Sequence, residues 1–226
     1  MLKTETKRFP RLQRLLKNTG PVTFIVGILL GTAAPARAQT AYVRIEEDWR
    51  LEVAKGDGGS MTAGAPHIIV QMAPSPTSAF TGIFQINHRE LPTFNKGGVQ
   101  IQLLKDNAIL SHKSRQTASF PSTGDTLTWT QSMSRNGSTL KYRILNANSA
   151  TWGKISLTVD DEVDVDAADT KPVFDGYSSD YSVNNSAITF GATRVKVLKL
   201  IAVRKYKSDG TVDSETGLPK TVYPQN

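Results

Sequence analysis

Short runs in which apolar and polar residues alternate are the feature that most constrains this chain. In "GIFQINH" (82–88), Phe84 and Ile86 share one side, and the residues between them are polar. The run "GVQIQLLK" (98–105) alternates in the same way. A period of two is that of a β-strand with one buried face. We therefore expect strands, and almost no helix, after the first forty residues.

Comparable runs, separated by Gly, Pro, Asn, Ser and Asp, cover much of the chain. They are 42–53, 67–72, 125–133, 138–145, 152–159, 187–190 and 194–206. The run 67–72 is continuously apolar, which is typical of a strand buried on both faces. Asn136-Gly137 and Ser208-Asp209-Gly210 indicate tight turns, whereas 160–186 indicates a long surface connection. About ten short strands predict an all-β fold, an antiparallel two-sheet β-sandwich of jelly-roll type, with a closed barrel as the alternative.

The start of the chain has the three parts of a secretory signal peptide. Its first twenty residues carry six Lys and Arg residues, an apolar run follows, and Ala36-Arg37-Ala38 is a small-residue cleavage site. The apolar stretch 22–34 is shorter than the roughly 20 residues of a spanning helix, so a membrane anchor is the less favoured alternative. We predict a signal peptide over 1–38 and one β-sandwich domain over 39–226, secreted or held in the periplasm or cell envelope.

The basic character of the sequence belongs mostly to this export signal. The chain has a formal net charge of +7, but residues 1–38 hold seven of its 27 Lys and Arg residues and one of its 20 acids. The 20 basic and 19 acidic residues that remain nearly cancel. Such a balance provides no strong field for phosphate groups, so we expect no nucleic-acid partner.

The chain contains no cysteine. This excludes disulfides, thiolate catalysis and Cys-ligated metals, so the domain must be held together by its own core. The three histidines, His67, His88 and His112, lack a close ligand spacing. The sequence also lacks the common hydrolase, zinc-protease and phosphate-loop motifs. We predict no cofactor, no metal site and no catalytic residue.

Polar positions on two neighbouring strands indicate a candidate binding surface. Gln85 and Asn87 alternate with apolar residues in one run, and Gln100 and Gln102 do so in the next. If these strands pair, four amide side chains share one sheet face, where they can both donate and accept hydrogen bonds with sugar hydroxyls. The alternative is a solvated outer face without a ligand. We take the four amides as the ligand-binding candidates.

The run "VDDEVDVDAAD" (159–169) is the strongest acidic signal. Its spacing resembles the Glu-x-Asp-x-Glu strand of laminarinase-like glycosidases. The resemblance implies Glu162 as nucleophile and Asp164 as its helper, but Asp166 is one methylene shorter than the acid/base glutamate of that pattern. A Ca²⁺ site and a solvated acidic loop are the other interpretations, and the loop is favoured.

Glu47 interrupts the apolar face of the run 42–53. Ile45, Trp49 and Leu51 share its parity. The alternatives are a β-bulge that turns Glu47 outward, a buried pair with Arg or Lys, an inward charge on an edge strand, and a carboxylate in a ligand groove. An unpaired buried carboxylate would cost several kcal/mol. We therefore expect the bulge, with Trp49 packed inward.

Several segments resemble those of exported bacterial proteins with no assigned activity. They are "RIEEDW" (44–49), "NHRELPTFNKGGVQIQL" (87–103), Thr151-Trp152-Gly153 and the strand from Thr193 to Arg204. The resemblance covers most of the domain and implies a concanavalin A-like or laminin-G-like sandwich, with no catalytic residues to carry over. We expect a non-enzymatic exported protein that binds an extracellular ligand, a carbohydrate, on one sheet face. A structural or interaction protein of the cell envelope and a glycosidase-like enzyme are the alternatives.

Overall fold

The computed structural model describes the greater part of the domain that follows the proposed signal peptide. The described residues are 41–55, 66–87, 98–115, 123–137, 139–150, 153–155, 162–164 and 174–224. The proposed signal peptide, 1–38, lies outside them.

The described strands form two antiparallel sheets, the larger with eight strands and the smaller with five. The larger sheet contains β1 (Tyr42–Val53), β6 (Thr126–Asn136), β7 (Thr139–Ser149), β8 (Gly153–Ile155), β9 (Glu162–Asp164), β11 (Val195–Lys207), β12 (Val212–Ser214) and β13 (Lys220–Tyr223). Their order is β12-β11-β1-β6-β7-β8, with β13 also paired to β11 and β9 to β7.

The smaller sheet contains β2 (His67–Met72), β3 (Phe80–Ile86), β4 (Val99–Lys105), β5 (Ala108–Arg115) and β10 (Ala187–Phe190). Their order is β10-β2-β3-β4-β5. Between β9 and β10 lie a 3-10 helix, Phe174–Gly176, and the α-helix α1, Ser179–Asn185; a second 3-10 helix, Ala192–Arg194, precedes β11. The predicted all-β, two-sheet antiparallel sandwich is confirmed.

The core lies between the sheets and is centred on aromatic side chains. Trp49 of β1 and Trp129 of β6 are register partners, and their rings stack 6.2 Å apart. Phe84 of β3, from the opposite sheet, meets the edge of Trp129 at 5.5 Å. Edge-to-face and stacked contacts of this kind are favourable beyond the area they bury. They fix how the two sheets face each other.

Some sequence-based expectations about single segments were wrong. The run 67–72 forms β2, but its residues alternate between buried and half-buried, so it has one core face and not two. The expected surface connection 160–186 contains β9 and α1. The strand β5 was not predicted, because most of its residues are exposed and its apolar positions do not alternate. The two predicted turns are present, with Gly137 and Gly210 at positive φ.

Candidate functional site

The four candidate amides lie in the smaller sheet, where β3 and β4 pair as expected and Gln85 is the register partner of Gln100. Three of them form a chain of hydrogen bonds across the sheet. Gln85 Nε2 donates to Gln102 Oε1 (3.1 Å), and Gln102 Nε2 donates to Gln100 Oε1 (2.8 Å). Gln100 Nε2 then donates to the Ser114 hydroxyl of β5 (2.8 Å). The three amides are thus oriented in the same way, and the NH₂ group of each glutamine donates to the next acceptor in the chain.

The same chain continues towards the other edge of the sheet through His67 of β2. Its Nε2 lies 3.3 Å from Gln85 Oε1, and its Nδ1 lies 2.7 Å from the hydroxyl of Thr189 in β10. The hydrogen bonds therefore cross all five strands of the smaller sheet. We call His67, Gln85, Gln100, Gln102, Ser114 and Thr189 the amide row. Chains of hydrogen bonds polarise one another, which strengthens each link.

The amide side chains are buried, and much of their hydrogen-bonding capacity is used within the protein. Gln100 is 4% exposed, and Gln85 and Gln102 are each 8% exposed. Asn87 stands apart from the row: its Nδ2 donates to Pro66 O (3.0 Å). Its Oδ1 is buried and has no hydrogen-bond partner among the residues that the structure describes. The structure thus brings three of the four candidates together, and their role in ligand binding stays a prediction.

Glu47 points into the core, so the expected outward bulge is wrong. It is 0% exposed, as are Ile45 and Leu51 of the same parity. Pairing of β1 with β6 runs through Glu47 without a register shift; the shift in β1 nearest to it lies on the β11 side, between Asp48 and Trp49. This irregularity leaves the parity of the core face unchanged. Trp49 packs inward, as expected.

Within the described part of the chain, the Glu47 carboxylate has four neutral hydrogen-bond donors and no ion pair with Arg or Lys. Trp49 Nε1 (2.8 Å) and Gln131 Nε2 donate to its Oε2. The hydroxyls of Tyr177 (2.6 Å) and Ser182 (2.5 Å) donate to its Oε1. A buried carboxylate can be satisfied by hydrogen bonds alone when every lone pair has a donor. The contacts tie α1 and the turn before it to the larger sheet.

Burial raises the pKa of Glu47, and its four hydrogen-bond donors oppose that rise without cancelling it. Burial also raises the pKa of Tyr177, and the nearby Glu47 carboxylate raises it further. The same two causes act on Tyr142, whose hydroxyl donates to Gln131 Oε1 (2.9 Å). Because Glu47 has no solvent access, this cluster stabilises the fold and cannot receive a ligand from solution.

Charged side chains cover the outer face of the larger sheet. Arg204 of β11 binds Asp48 with two nitrogens (2.5 and 2.8 Å) and Glu46 with its Nε (3.3 Å). Burial alone would raise the pKa of Asp48, but hydrogen bonds from Arg204 and Thr130 outweigh it and lower that pKa. These contacts connect β11, β1 and β6, and bidentate arginine–carboxylate pairs are among the stronger surface interactions.

A groove of about 490 Å³ lies beside these ion pairs on the outer face of the larger sheet. We call it the β1–β6 groove. Its lining includes Val43, Arg44, Glu46, Ser132, Ser134, Arg135, Arg143, Leu145, Tyr206 and Lys207. A second cavity, of about 480 Å³, lies between β10 and β13 and is lined by Ser186, Ala187, Ile188, Ala192, Val222, Tyr223 and Pro224. Pockets of this size suit small ligands or one or two sugar rings.

Arg44 and Tyr206 form one wall of the β1–β6 groove. The Arg44 guanidinium lies 3.6 Å above the Tyr206 ring, and its Nε is 3.4 Å from Glu46 Oε1. The Tyr206 hydroxyl donates to Glu46 Oε2 (2.7 Å). These contacts hold the guanidinium in one orientation. Sequence reasoning predicted a strand over 194–206 but missed this wall.

The acidic run 159–169 lies mostly outside the described residues. Glu162–Asp164 form β9, paired with β7, and the side chains of these residues are also outside the description. Among the described residues, no three His, Asp or Glu side chains are placed to hold a metal ion. His112 lies on the exposed strand β5, and His88 is outside the described ranges. The glycosidase and cation interpretations therefore stay untested.

The fold defines the chain as an antiparallel two-sheet β-sandwich with a groove on one outer face. No family model matches it, and no curated protein or solved structure shows significant similarity. In the described part of the chain the single α-helix has seven residues, too few to cross a membrane. The resemblance to concanavalin A-like sandwiches stays a prediction.

Proposed function

We propose that this chain is an exported, non-enzymatic β-sandwich that binds an extracellular carbohydrate in the β1–β6 groove. The observation that carries the proposal is the groove itself, about 490 Å³ in volume and open on the outer sheet face. Its lining combines the half-buried hydroxyl of Ser134 with arginine donors and the ring of Tyr206, one face of which is covered by Arg44. Sugars present hydroxyls that both donate and accept, and apolar ring faces that pack on aromatic side chains.

The amide row is the second candidate location for the same function. One observation favours it: Asn87 Oδ1 is buried without a hydrogen-bond partner, so it is an acceptor that a ligand hydroxyl could satisfy. Against it, Gln100 and Gln102 are almost fully buried and already bonded. A ligand there would have to break existing hydrogen bonds, whereas the β1–β6 groove is open.

Filling the groove tests the location directly. Ser134 of β6 lines the groove, and Ser134→Trp would occupy it with an indole ring. Thr128 lies on the same strand with the same parity, is exposed, and is not a lining residue, so Thr128→Trp is the matched control. Glycans that bind the unmodified protein on an array are then titrated against both variants by calorimetry. We expect Ser134→Trp to lose binding and Thr128→Trp to keep it.

Two results would contradict the proposal in different ways. The absence of binding above background across soluble and cell-wall glycans would exclude the carbohydrate function and favour a structural or interaction protein of the envelope. Glycan binding that survives Ser134→Trp but is lost in Gln100→Ala would move the site to the amide row. Thermal melts of each variant show whether a loss of binding reflects a loss of folding.

A further inference from the structure

The lining of the β1–β6 groove is strongly biased towards positive charge. Among the described residues that line it, Arg44, Arg135, Arg143 and Lys207 are basic and Glu46 is acidic. Lys207 is paired with Asp213, which is not a lining residue. This bias is local, because residues 39–226 contain nearly equal numbers of basic and acidic residues. A groove with one sign of charge and low-dielectric walls concentrates ligands of the opposite sign.

The carboxylate of Glu46, the acidic residue of the groove, is already hydrogen-bonded to other side chains of the protein. Glu46 Oε2 accepts hydrogen bonds from Arg204 Nε (3.3 Å) and from the Tyr206 hydroxyl (2.7 Å). Arg204 is not a lining residue, so it offsets the charge of Glu46 from outside the groove. Lys207 is also paired, with Asp213 (2.9 Å), so the contact with an incoming anion falls to Arg44, whose partner Glu46 is shared with Arg204.

Arg44 is placed to receive such an anion. Its side chain is 42% exposed, yet its guanidinium is held over the Tyr206 ring at 3.6 Å and beside Glu46. An arginine that is already ordered loses less conformational entropy on binding, and its planar fork matches the oxygens of a carboxylate or sulfate. Ser134, its register partner on β6, brings a hydroxyl next to it. A charged group and a sugar hydroxyl could therefore bind side by side.

We infer that the β1–β6 groove selects saccharides that carry an anionic group, a uronate carboxylate or a sulfate ester, and that Arg44 determines this specificity. The inference rests on the proposed carbohydrate function and narrows it to acidic glycans. It assigns Arg44 a contact with the anion and Ser134 a contact with a sugar hydroxyl.

The test uses two pairs of probes that differ only in charge. Oligogalacturonate is compared with its methyl-esterified form, and dextran sulfate with dextran, each titrated calorimetrically against the purified protein. We expect an acidic probe to bind about tenfold or more tightly than its neutral partner, as one hydrogen-bonded charge provides. The probe pair with the larger difference in affinity shows whether the groove prefers a carboxylate or a sulfate. The preference should shrink with added salt, since exposed charges are screened.

Arg44→Gln and Arg50→Gln form a matched pair of variants. Both arginines lie on β1 with the same parity, both side chains are 42% exposed, and each pairs with a glutamate two residues later. Arg50 is six residues away, roughly 20 Å along the strand, and does not line the groove. We expect Arg44→Gln to remove most of the preference for the acidic probe and Arg50→Gln to preserve it. Arg44→Lys, which keeps the charge but loses the fork, should give an intermediate loss.

The outcomes separate this inference from the proposed function. Equal binding of acidic and neutral probes would overturn the inference and leave the carbohydrate function standing. Equal loss in Arg44→Gln and Arg50→Gln would show diffuse charge attraction and would also overturn it. Binding of none of the probes, acidic or neutral, together with an array without hits, would remove both. Thermal melts that match between the two variants exclude misfolding as the cause.

Discussion

At the scale of single residues, Glu47 shows where sequence reasoning succeeds and where it stops. The alternation of 42–53 correctly places Glu47 on the parity of the core residues. The expectation failed because it considered only charged partners for a buried carboxylate. Two of the actual donors, Tyr177 and Ser182, lie 130 and 135 residues further along the chain. A local sequence pattern cannot predict contacts between residues that are so far apart in the chain.

The Glu47 cluster predicts a specific order of variant stabilities. Glu47→Leu leaves four buried donors without an acceptor, and each such group costs about 1–3 kcal/mol, so we expect a loss of about 3 kcal/mol or more. Glu47→Gln keeps one oxygen for Trp49 and Gln131, and its NH₂ can donate to the two hydroxyl oxygens. Its loss should stay near 1 kcal/mol, measured by urea unfolding.

Glu52→Leu is the control for this prediction. Glu52 lies on the same strand with opposite parity and forms surface pairs with Arg50 (2.8 Å) and Lys196 (3.3 Å). Such pairs contribute about 1 kcal/mol or less. If Glu47→Leu cost no more than Glu52→Leu, the buried donors would not depend on Glu47, and the structural role assigned to the cluster would be wrong.

At the scale of secondary structure, alternation located the long strands well. The runs 82–88, 98–105, 125–133 and 138–145 correspond to β3, β4, β6 and β7, with ends that differ by a few residues. The shared face of Gln85 and Gln100 was also predicted correctly. The burial of that face was not, because alternation separates the two sides of a strand without showing whether the outer side is covered by other parts of the protein.

The amide row predicts that its glutamines stabilise the smaller sheet. Gln102→Met keeps the length of the side chain but removes the acceptor of Gln85 and a donor to Gln100. Because both amides are buried, we expect a loss of about 1–3 kcal/mol in the free energy of unfolding. Chemical denaturation of the variant beside the unmodified protein measures it.

Gln71→Met provides the comparison. Gln71 lies on β2 of the same sheet, is half-buried, and its side chain is not part of the row. Its replacement should change stability by about 0.5 kcal/mol or less. Equal, small effects of the two replacements would show that the row contributes little to stability. A loss of glycan binding in Gln102→Met without a loss of stability would favour the row as the ligand site.

At the scale of the whole molecule, the candidate site depends on which strands lie next to each other in the larger sheet. Arg44, Ser132 and Tyr206 come from β1, β6 and β11, which are far apart in the sequence and adjacent in the larger sheet. The sequence predicted a strand over 194–206 but could not show which strands lie beside it. Residues 39–226 carry nearly equal numbers of basic and acidic residues. That balance does not show that the fold places several basic residues beside one groove.

Glu47 and Asp48, which lie on opposite faces of β1, give the whole domain a pH dependence with two opposing parts. The pKa of Glu47 is raised in the folded state, so its folded form binds an extra proton between its ordinary pKa, about 4.3, and the higher folded value. Its contribution is fully present below about pH 4.3 and is lost as pH rises through the folded pKa. The pKa of Asp48 is lowered, so its contribution is present above about pH 3.9 and is lost as pH falls through its folded value.

Thermal midpoints of the unmodified protein, Glu47→Gln and Asp48→Asn between pH 3 and pH 9 separate these parts. Relative to Glu47→Gln, the unmodified protein should be most stable at and below about pH 4 and lose that advantage as pH rises, because only its side chain must then bury a charge. Relative to Asp48→Asn, it should gain stability as pH rises towards about 4 and keep that gain at higher pH, since Arg204 then faces an ionised carboxylate. Tyr142 and Tyr177 stay neutral across this range because their pKa values are raised. Parallel curves for the unmodified protein and Glu47→Gln would show that Glu47 titrates normally, and the neutral donors would then fully offset the effect of its burial.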